Sequence, residues 1–360
     1  YNNGSSGVGP VTLYANRKAA AVKLFPVIRH TQRKITFDFR LTEPGLQQIG
    51  IGDCPVSAVT VSGTKPDFLF EDLHLSDERV LAGQLMQISA KVTNLTAAAR
   101  PIMPSLYVNG NEMESKTVHL GAGESQPVVF AFTPKPGQHT LRIGNSETRT
   151  VTVLKCKEVD ITRQKLHRYI SPKARPAQVV IRQRENQYAI TACGWDFYHA
   201  EDAYAAAYLK EIKGDFIASV RITAFGDRTN EWFRAGLFVR NDLSQSFDVE
   251  RGSKGSVLMF ATPGRAGIQY DEFGDGCMHK ASSENLPEKA SPPFWIKLER
   301  HGDRFTGAVS VDGKNWIVQR RSGDIPGLHQ ALDLGLAAGS PDQKPYTVEF
   351  SDWKILVEEK

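Results

Sequence analysis

The sequence predicts an all-β protein built from two-sheet antiparallel sandwiches, and three observations predict it. In residues 214–240, Phe216, Ala218, Val220 and Ile222 alternate with Ile217, Ser219, Arg221 and Thr223, a period of two that fits a strand with one apolar face. A polar break from Gly226 to Glu231 leads into a second run, Trp232 to Arg240, closed by the turn pair Asn241-Asp242. These two are read as adjacent strands at the centre of a sandwich. Second, the C-terminal half carries many short alternating runs with no helical period between them. Third, the first 153 residues contain a repeat.

Composition bounds the rest. A chain of 360 residues, 41% of them apolar, holds two or three cored domains. A net charge of +4, without a clustered Lys/Arg helix, points away from nucleic acid. No apolar run reaches the roughly 18 residues that a membrane-crossing helix needs. The four cysteines, Cys54, Cys156, Cys193 and Cys277, are widely spaced and form no C-x-x-C pair, which argues against a zinc site and leaves disulfides open.

In the repeat, Leu13-Tyr14 matches Leu106-Tyr107, Phe37 and Phe39 match Phe130 and Phe132, and Pro44-Gly45 matches Pro136-Gly137. Ile51-Gly52 then matches Ile143-Gly144, and Val59-Thr60-Val61 matches Val151-Thr152-Val153. A spacing of roughly 90 residues is the size of an immunoglobulin-like unit. Asn109-Gly110 suits a tight hairpin turn, because both residues tolerate positive φ. The second copy has earlier strand runs, Phe68 to Leu75 and Leu85 to Val92, which the first lacks. Tyr1-Asn2-Asn3-Gly4 aligns near Val92 to Leu95, with neither an initiator methionine nor the start of a signal peptide. The chain is therefore expected to open inside an immunoglobulin-like domain whose first strands lie upstream in the same precursor, since half a sandwich leaves a sheet edge and half a core exposed.

Both copies resemble the bacterial cell-adhesion-related β-sandwich domains found in tandem on large secreted proteins. The segments PDFLFEDLHLSDERVLAGQLMQISAKVTNLT, LYVNG, LGAGESQPVVFAF and PGQHTLRIG carry the likeness, and the first copy carries its latter part. The expected divisions are 1–63, the C-terminal part of one such domain; 64–155, a whole one; 156–177, a linker; and 178–360, a second kind of sandwich. The linker's Arg163, Lys165, His167, Arg168, Lys173 and Arg175 are read as a solvated basic stretch, with a patch for acidic polysaccharide as the sharper option.

Strand candidates from Val179 onward are 178–183, 187–193, 215–224, 232–240, 255–261, 266–270, 294–300, 304–311, 315–320, 332–338 and 346–357. Asp312-Gly313 marks a hairpin between Val309-Ser310-Val311 and Trp316-Ile317-Val318. The segments GWDFYHAEDAYAAAYLKEIKGDF, WFRAGLFVRNDLS, GSVLMFATPGRAGIQYDEFGDG, FWIKLERHGDRFTGAVSVDGKNW and LDLGLAAGS, in that order, resemble a concanavalin A-like lectin/glucanase domain. It is similar to the accessory type appended to secreted glycosidases, sulfatases and peptidases, and implies a jelly-roll sandwich.

A retaining glucanase would need two carboxylates about 5–5.5 Å apart. The chain has no E-x-D-x-E run, and Glu299 has no second acid at i+2 or i+4. There is no G-x-S-x-G, and the nine histidines are scattered, so no catalytic residue is assigned. Glycan binding asks for aromatic faces beside polar groups. The expected residues are Trp232, Tyr270, Trp195, Tyr198, Arg234 and Arg240, with Tyr204, Trp316, Asp196, Asp202 and Gln269 as further candidates; Arg240 has the alternative of a buried bonding hub. Residues 269–276, QYDEFGDG, resemble a calcium-binding turn with Phe273 in a ligand position. Asp271 and Asp275 are the expected ligands of a structural calcium, against a plain acidic turn.

Together these features predict a non-catalytic accessory region of a secreted or cell-surface bacterial protein, in which spacer modules present a glycan-binding or domain-packing sandwich. One alternative is a carbohydrate hydrolase using Asp196, Asp202, Asp271 and Glu299. Another is a structural subunit of a surface assembly.

Overall fold

A computed structural model describes residues 7–27, 34–37, 41, 45–52, 54, 56–61, 66–175, 178–194, 197–198, 201–226, 231–245, 254–286, 291–342 and 344–359. The chain is nearly all β, as expected, with short 3₁₀ turns at Ile161–Arg163 and Pro172–Ala174. Among them no helix is long and apolar enough to cross a membrane.

The first unit is one antiparallel sheet in the order Lys18–Val27, Gly7–Ala15, Gly45–Ile51, Ser57–Val61. The second has a five-stranded sheet that contains the corresponding order, Asn111–Ser115, Ser105–Val108, Gly137–Ile143, Arg149–Leu154, and ends on Arg79–Leu81. Register repeats too: Leu13 faces Ile51, and Leu106 faces Ile143. So does turn chemistry, with positive φ at Asn16 and Arg17 and again at Asn109 and Gly110. Phe39 and Pro44 of the repeat lie outside the described residues.

The units differ in what covers the sheet. In the second, Phe68–Leu75, Met86–Asn94 and Ser125–Phe132 form a facing three-stranded sheet. Ile88, Val92 and Phe130 from that sheet meet Leu106, Leu141 and Val151 in a sealed core. In the first unit Leu13, the counterpart of Leu106, is buried, whereas Val8, Val22, Leu24 and Leu46 share the opposite face by register and stay exposed, Leu24 at 75%.

The third unit is a sandwich of two large sheets. One runs Val180–Arg184, Gln187–Ala192, Tyr346–Glu358, Phe216–Phe225, Phe294–His301, Arg304–Ser310, Ile317–Arg321. The other runs His167–Ile170, Ala205–Lys213, Ala331–Gly339, Arg234–Arg240, Val257–Ala261, Arg265–Tyr270, Lys280–Asn285. Inward residues of each, such as Phe216, Val220 and Ile296 from the first and Leu237, Met259 and Leu336 from the second, fill one core. Asp312 closes its hairpin by accepting the backbone N–H of Lys314 and Asn315, both at 2.8 Å.

Two sequence expectations are corrected here. The strands at 216–225 and 234–240 are consecutive but do not pair, because each is central to a different sheet. The segment read as a linker also joins the sandwich. Cys156–Glu158 pairs with Leu356–Glu358 at the end of the last strand, and His167–Ile170 pairs with Ala205–Tyr208. Short edge strands need no apolar outer side, so their charges disguise them.

The second and third units are docked. Arg79 bonds Glu358 at 2.8 Å, Arg304 bonds Asp77 at 3.3 Å, and the Gln84 amide donates to the Arg300 carbonyl at 3.1 Å.

Candidate functional site

The strand Arg234–Arg240 lies in the middle of its sheet and is buried along its whole length. Its period of two sends Ala235, Leu237 and Val239 into the core and Arg234, Gly236, Phe238 and Arg240 to the outer face. At one end that face is sealed. Arg240 is fully buried and grips Asp202 with two nitrogens, at 2.7 and 2.9 Å, while Nε donates to Ser256 at 2.6 Å. Burial works against its charge, but Asp202 beside it outweighs that and raises its pKa. Tyr204, also buried, stands 5.3 Å beneath the guanidinium and donates to the Leu243 carbonyl at 2.8 Å. Arg240 is therefore the buried hub of a seal made by residues 202–204 and 243–245, and is withdrawn as a ligand contact.

At the other end the face is open. The Arg234 guanidinium lies 5.4 Å from the Tyr198 ring and 5.8 Å from those of Trp232 and Phe260. Arg234 itself is 7% exposed, whereas Trp232 at the rim is 44% exposed, with the Arg265 guanidinium 5.9 Å from its ring. Tyr198 donates to the His279 carbonyl at 3.4 Å. Three of the expected residues, Tyr198, Trp232 and Arg234, thus converge; Phe260 and Arg265 join them without having been singled out.

The remaining expected residues are placed elsewhere. Tyr270 turns into the core, in phase with Ala266 and Ile268, and is corrected from platform to packing residue. Trp195 and Asp196 lie outside the described residues. Gln269 is wholly buried, and Trp316 lies under the Lys297 ammonium at 4.6 Å on the opposite sheet.

Asp271 is fully buried, and its carboxylate accepts N–H groups from Gly255 at 3.2 Å, Asp275 at 3.1 Å and Gly276 at 2.9 Å. It organises the turn rather than facing a cation. Asp275 does reach potential ligands: Cys277 and His279 bring one donor atom each to within 4.8 Å of its carboxylate and of one another. Burial, together with Asp275, Asp271 and Asp202, pushes the Cys277 thiol up to about 11. The cysteine spacing predicts no zinc site, and the local D-x-C-x-H spacing is the signal that reading overlooks. None of the four cysteines is joined in a disulfide.

On the opposite outer face, Lys297 bonds Glu299 at 2.6 Å, and the carboxylate also accepts the Leu85 N–H of the second unit at 3.2 Å. Burial favours the protonated acid, but His301 at 3.9 Å and Lys297 outweigh it and hold the Glu299 pKa low. Glu299 and Asp202 stand on opposite sides of a two-sheet sandwich whose layers are about 10 Å apart, beyond the spacing of a glycosidase acid pair.

An open groove of about 830 Å³ lies on that same opposite face, with Arg182, Arg184, Arg221 and Glu349 among its lining. Arg168 of the expected basic stretch reaches it, while Arg163 and Lys173 pair locally with Asp160 and Glu201.

The sequence model of the CARDB family, immunoglobulin-like and adhesion-related, matches residues 65–154, the second unit. No curated protein matches the chain. Among solved structures, a functionally unknown protein from Saccharomyces cerevisiae is similar at 18% identity, over 54% of this chain and 97% of that one, with a TM-score of 0.39. The CARDB domain of a Pyrococcus furiosus protein, in complex with di-metal ions, is similar at 22% identity over 23% of this chain and 94% of that one, with a TM-score of 0.20. A legume lectin-like domain from Entamoeba histolytica is similar at 11% identity over 54% and 90%, with a TM-score of 0.36.

Proposed function

We propose that the third unit binds a glycan on the face built by Tyr198, Trp232, Arg234, Phe260 and Arg265. The observation that carries this reading is the nearly buried Arg234 guanidinium set among three aromatic rings, with Trp232 exposed at the rim. An indole face accepts the C–H surface of a sugar ring, and a guanidinium held in a fixed plane bonds two hydroxyl oxygens or a carboxylate at once. Arg265 adds a second cation beside Trp232.

On this reading the chain is a non-catalytic accessory region of a secreted or cell-surface bacterial protein, with tandem immunoglobulin-like spacers presenting the sandwich. The family match over residues 65–154 supports the spacer role. The exposed apolar face of the first unit, opposite Leu13, supports coverage by another part of the precursor or by a neighbouring subunit. A hydrolase gains no support from the acids described, since Asp202, Asp271 and Glu299 are each committed to an internal partner. Calcium on Asp271 and Asp275 is set aside because Asp271 already serves three amides.

A second use of the same sandwich is domain packing, favoured by the Glu299 carboxylate receiving the Leu85 N–H. Affinity electrophoresis of the full chain through gels holding neutral, uronate or sulfated polysaccharides tests the glycan reading. At least one polysaccharide should retard the chain, and Trp232→Ala should restore its mobility. Free migration through every gel would sink it.

A further inference from the structure

We propose that Asp275, Cys277 and His279 form a site for one zinc-type divalent metal ion, independent of whether the neighbouring face binds a glycan. Three features of the turn build it. Asp271, locked by three backbone N–H groups, fixes the loop from which the ligands emerge. Gly274 and Gly276, at φ of 70° and 91°, reverse the chain there. The alternation that follows buries Met278 against Phe260 on the sheet and leaves Asp275, Cys277 and His279 on the other side.

The geometry is close to that of a bound ion. His279 Nε2 lies 2.7 Å from Asp275 Oδ2, and all three donor atoms lie within 4.8 Å of one another. Ligand pairs around a tetrahedral zinc are about 3.3–3.8 Å apart, given metal–ligand bonds of about 2.0–2.3 Å. Rotations of roughly 1 Å at the side-chain tips therefore suffice. Asp275 Oδ1 accepts the Cys277 N–H at 2.9 Å, which orients the carboxylate while Oδ2 points to the histidine.

Ligand type selects the ion. Calcium takes oxygen donors, whereas thiolate, imidazole and carboxylate together suit zinc. Three protein ligands leave a fourth position for water or an anionic oxygen, the arrangement of open rather than structural zinc sites. Tyr198, which donates to the His279 carbonyl, links this site to the aromatic face.

Titration of the untagged full chain with zinc in the presence of excess calcium tests the proposal, with cobalt as the spectroscopic probe. The expected result is one ion per chain, unaffected by calcium, and a thiolate-to-cobalt charge-transfer band. Cys277→Ser should abolish that band, and His279→Asn should weaken zinc binding by about 100-fold or more, the upper range seen on losing a mere second-shell partner. Absence of zinc uptake by the wild-type chain, or an unchanged band and affinity in the folded variants, would overturn it. Circular dichroism reports folding; where a variant fails to fold, the wild-type cobalt spectrum decides alone.

Discussion

The two outer faces of the C-terminal sandwich are built from the same device and put to different ends. Each carries a buried cation–carboxylate pair: Arg240 with Asp202 on one face, Lys297 with Glu299 on the other. The first pair is sealed by the sandwich's own residues, Tyr204 and the Gln245 carbonyl, and the strand runs on from it to the open aromatic end at Arg234. The second is completed by a neighbour, because the Leu85 N–H comes from the immunoglobulin-like unit. A buried ion pair therefore does not by itself mark a ligand site. What closes over it decides whether the face holds the domain together, docks another domain or stays free.

The comparison breaks most sharply at Arg240. Arg240→Ala leaves Asp202 buried without its cation and should cost about 3–5 kcal/mol, read from urea denaturation of the C-terminal unit. A loss below about 1 kcal/mol would mean that the seal is not held by this pair.

Glu299→Ala should cost somewhat less, roughly 3 kcal/mol, and in addition separate the unfolding of the two docked units. Two denaturation transitions should replace one, and a single shared transition in the variant would contradict the docking role. The same contact has a pH signature. The folded Glu299 carboxyl has a lowered pKa. Its contribution is therefore complete above the ordinary carboxylate range and is lost as pH falls through the lowered folded value. Glu299→Gln should remove that acid-side dependence, measured as the separation of the two transitions against pH.

Trp232→Ala should have the smallest effect on stability, within about 0.5 kcal/mol, because the ring sits at the surface. Its effect on glycan affinity should be near tenfold, as expected for losing one stacking surface worth about 1–1.5 kcal/mol. A large loss of stability with unchanged affinity would reverse the roles given to the open and sealed ends.

Much of this was written locally in the sequence. Alternation placed the strand at 216–225 within a residue, and Asp312-Gly313 located the hairpin between Arg304–Ser310 and Ile317–Arg321. Phase alone also separates Tyr270 from the surface, since it keeps step with the inward Ile268. The strand Ala205–Lys213 left no such trace: from Ala205 to Leu209 both sides are buried, so apolar and polar residues do not alternate, and alanine is a weak strand former. Lys280–Asn285 is polar apart from Ala281, as an edge strand can be. Long-range closure was hidden for a different reason. Nothing near Arg240 or Glu299 in the chain announces Asp202 or Leu85, whose distance in sequence carries no periodic signal. The Asp275, Cys277 and His279 cluster is intermediate, because its spacing is local but its convergence depends on Asp271 bending the turn.

The central claim is that the open end around Arg234, and not the arginine groove on the opposite sheet, meets the ligand. Hydrogen–deuterium exchange of the full chain, with and without a saturating polysaccharide that retards it, tests this most directly. The account predicts slowed exchange at residues 197–198, 231–235 and 260–265. Slowing confined to residues 182–189, 221–223 and 349–351 instead would contradict it.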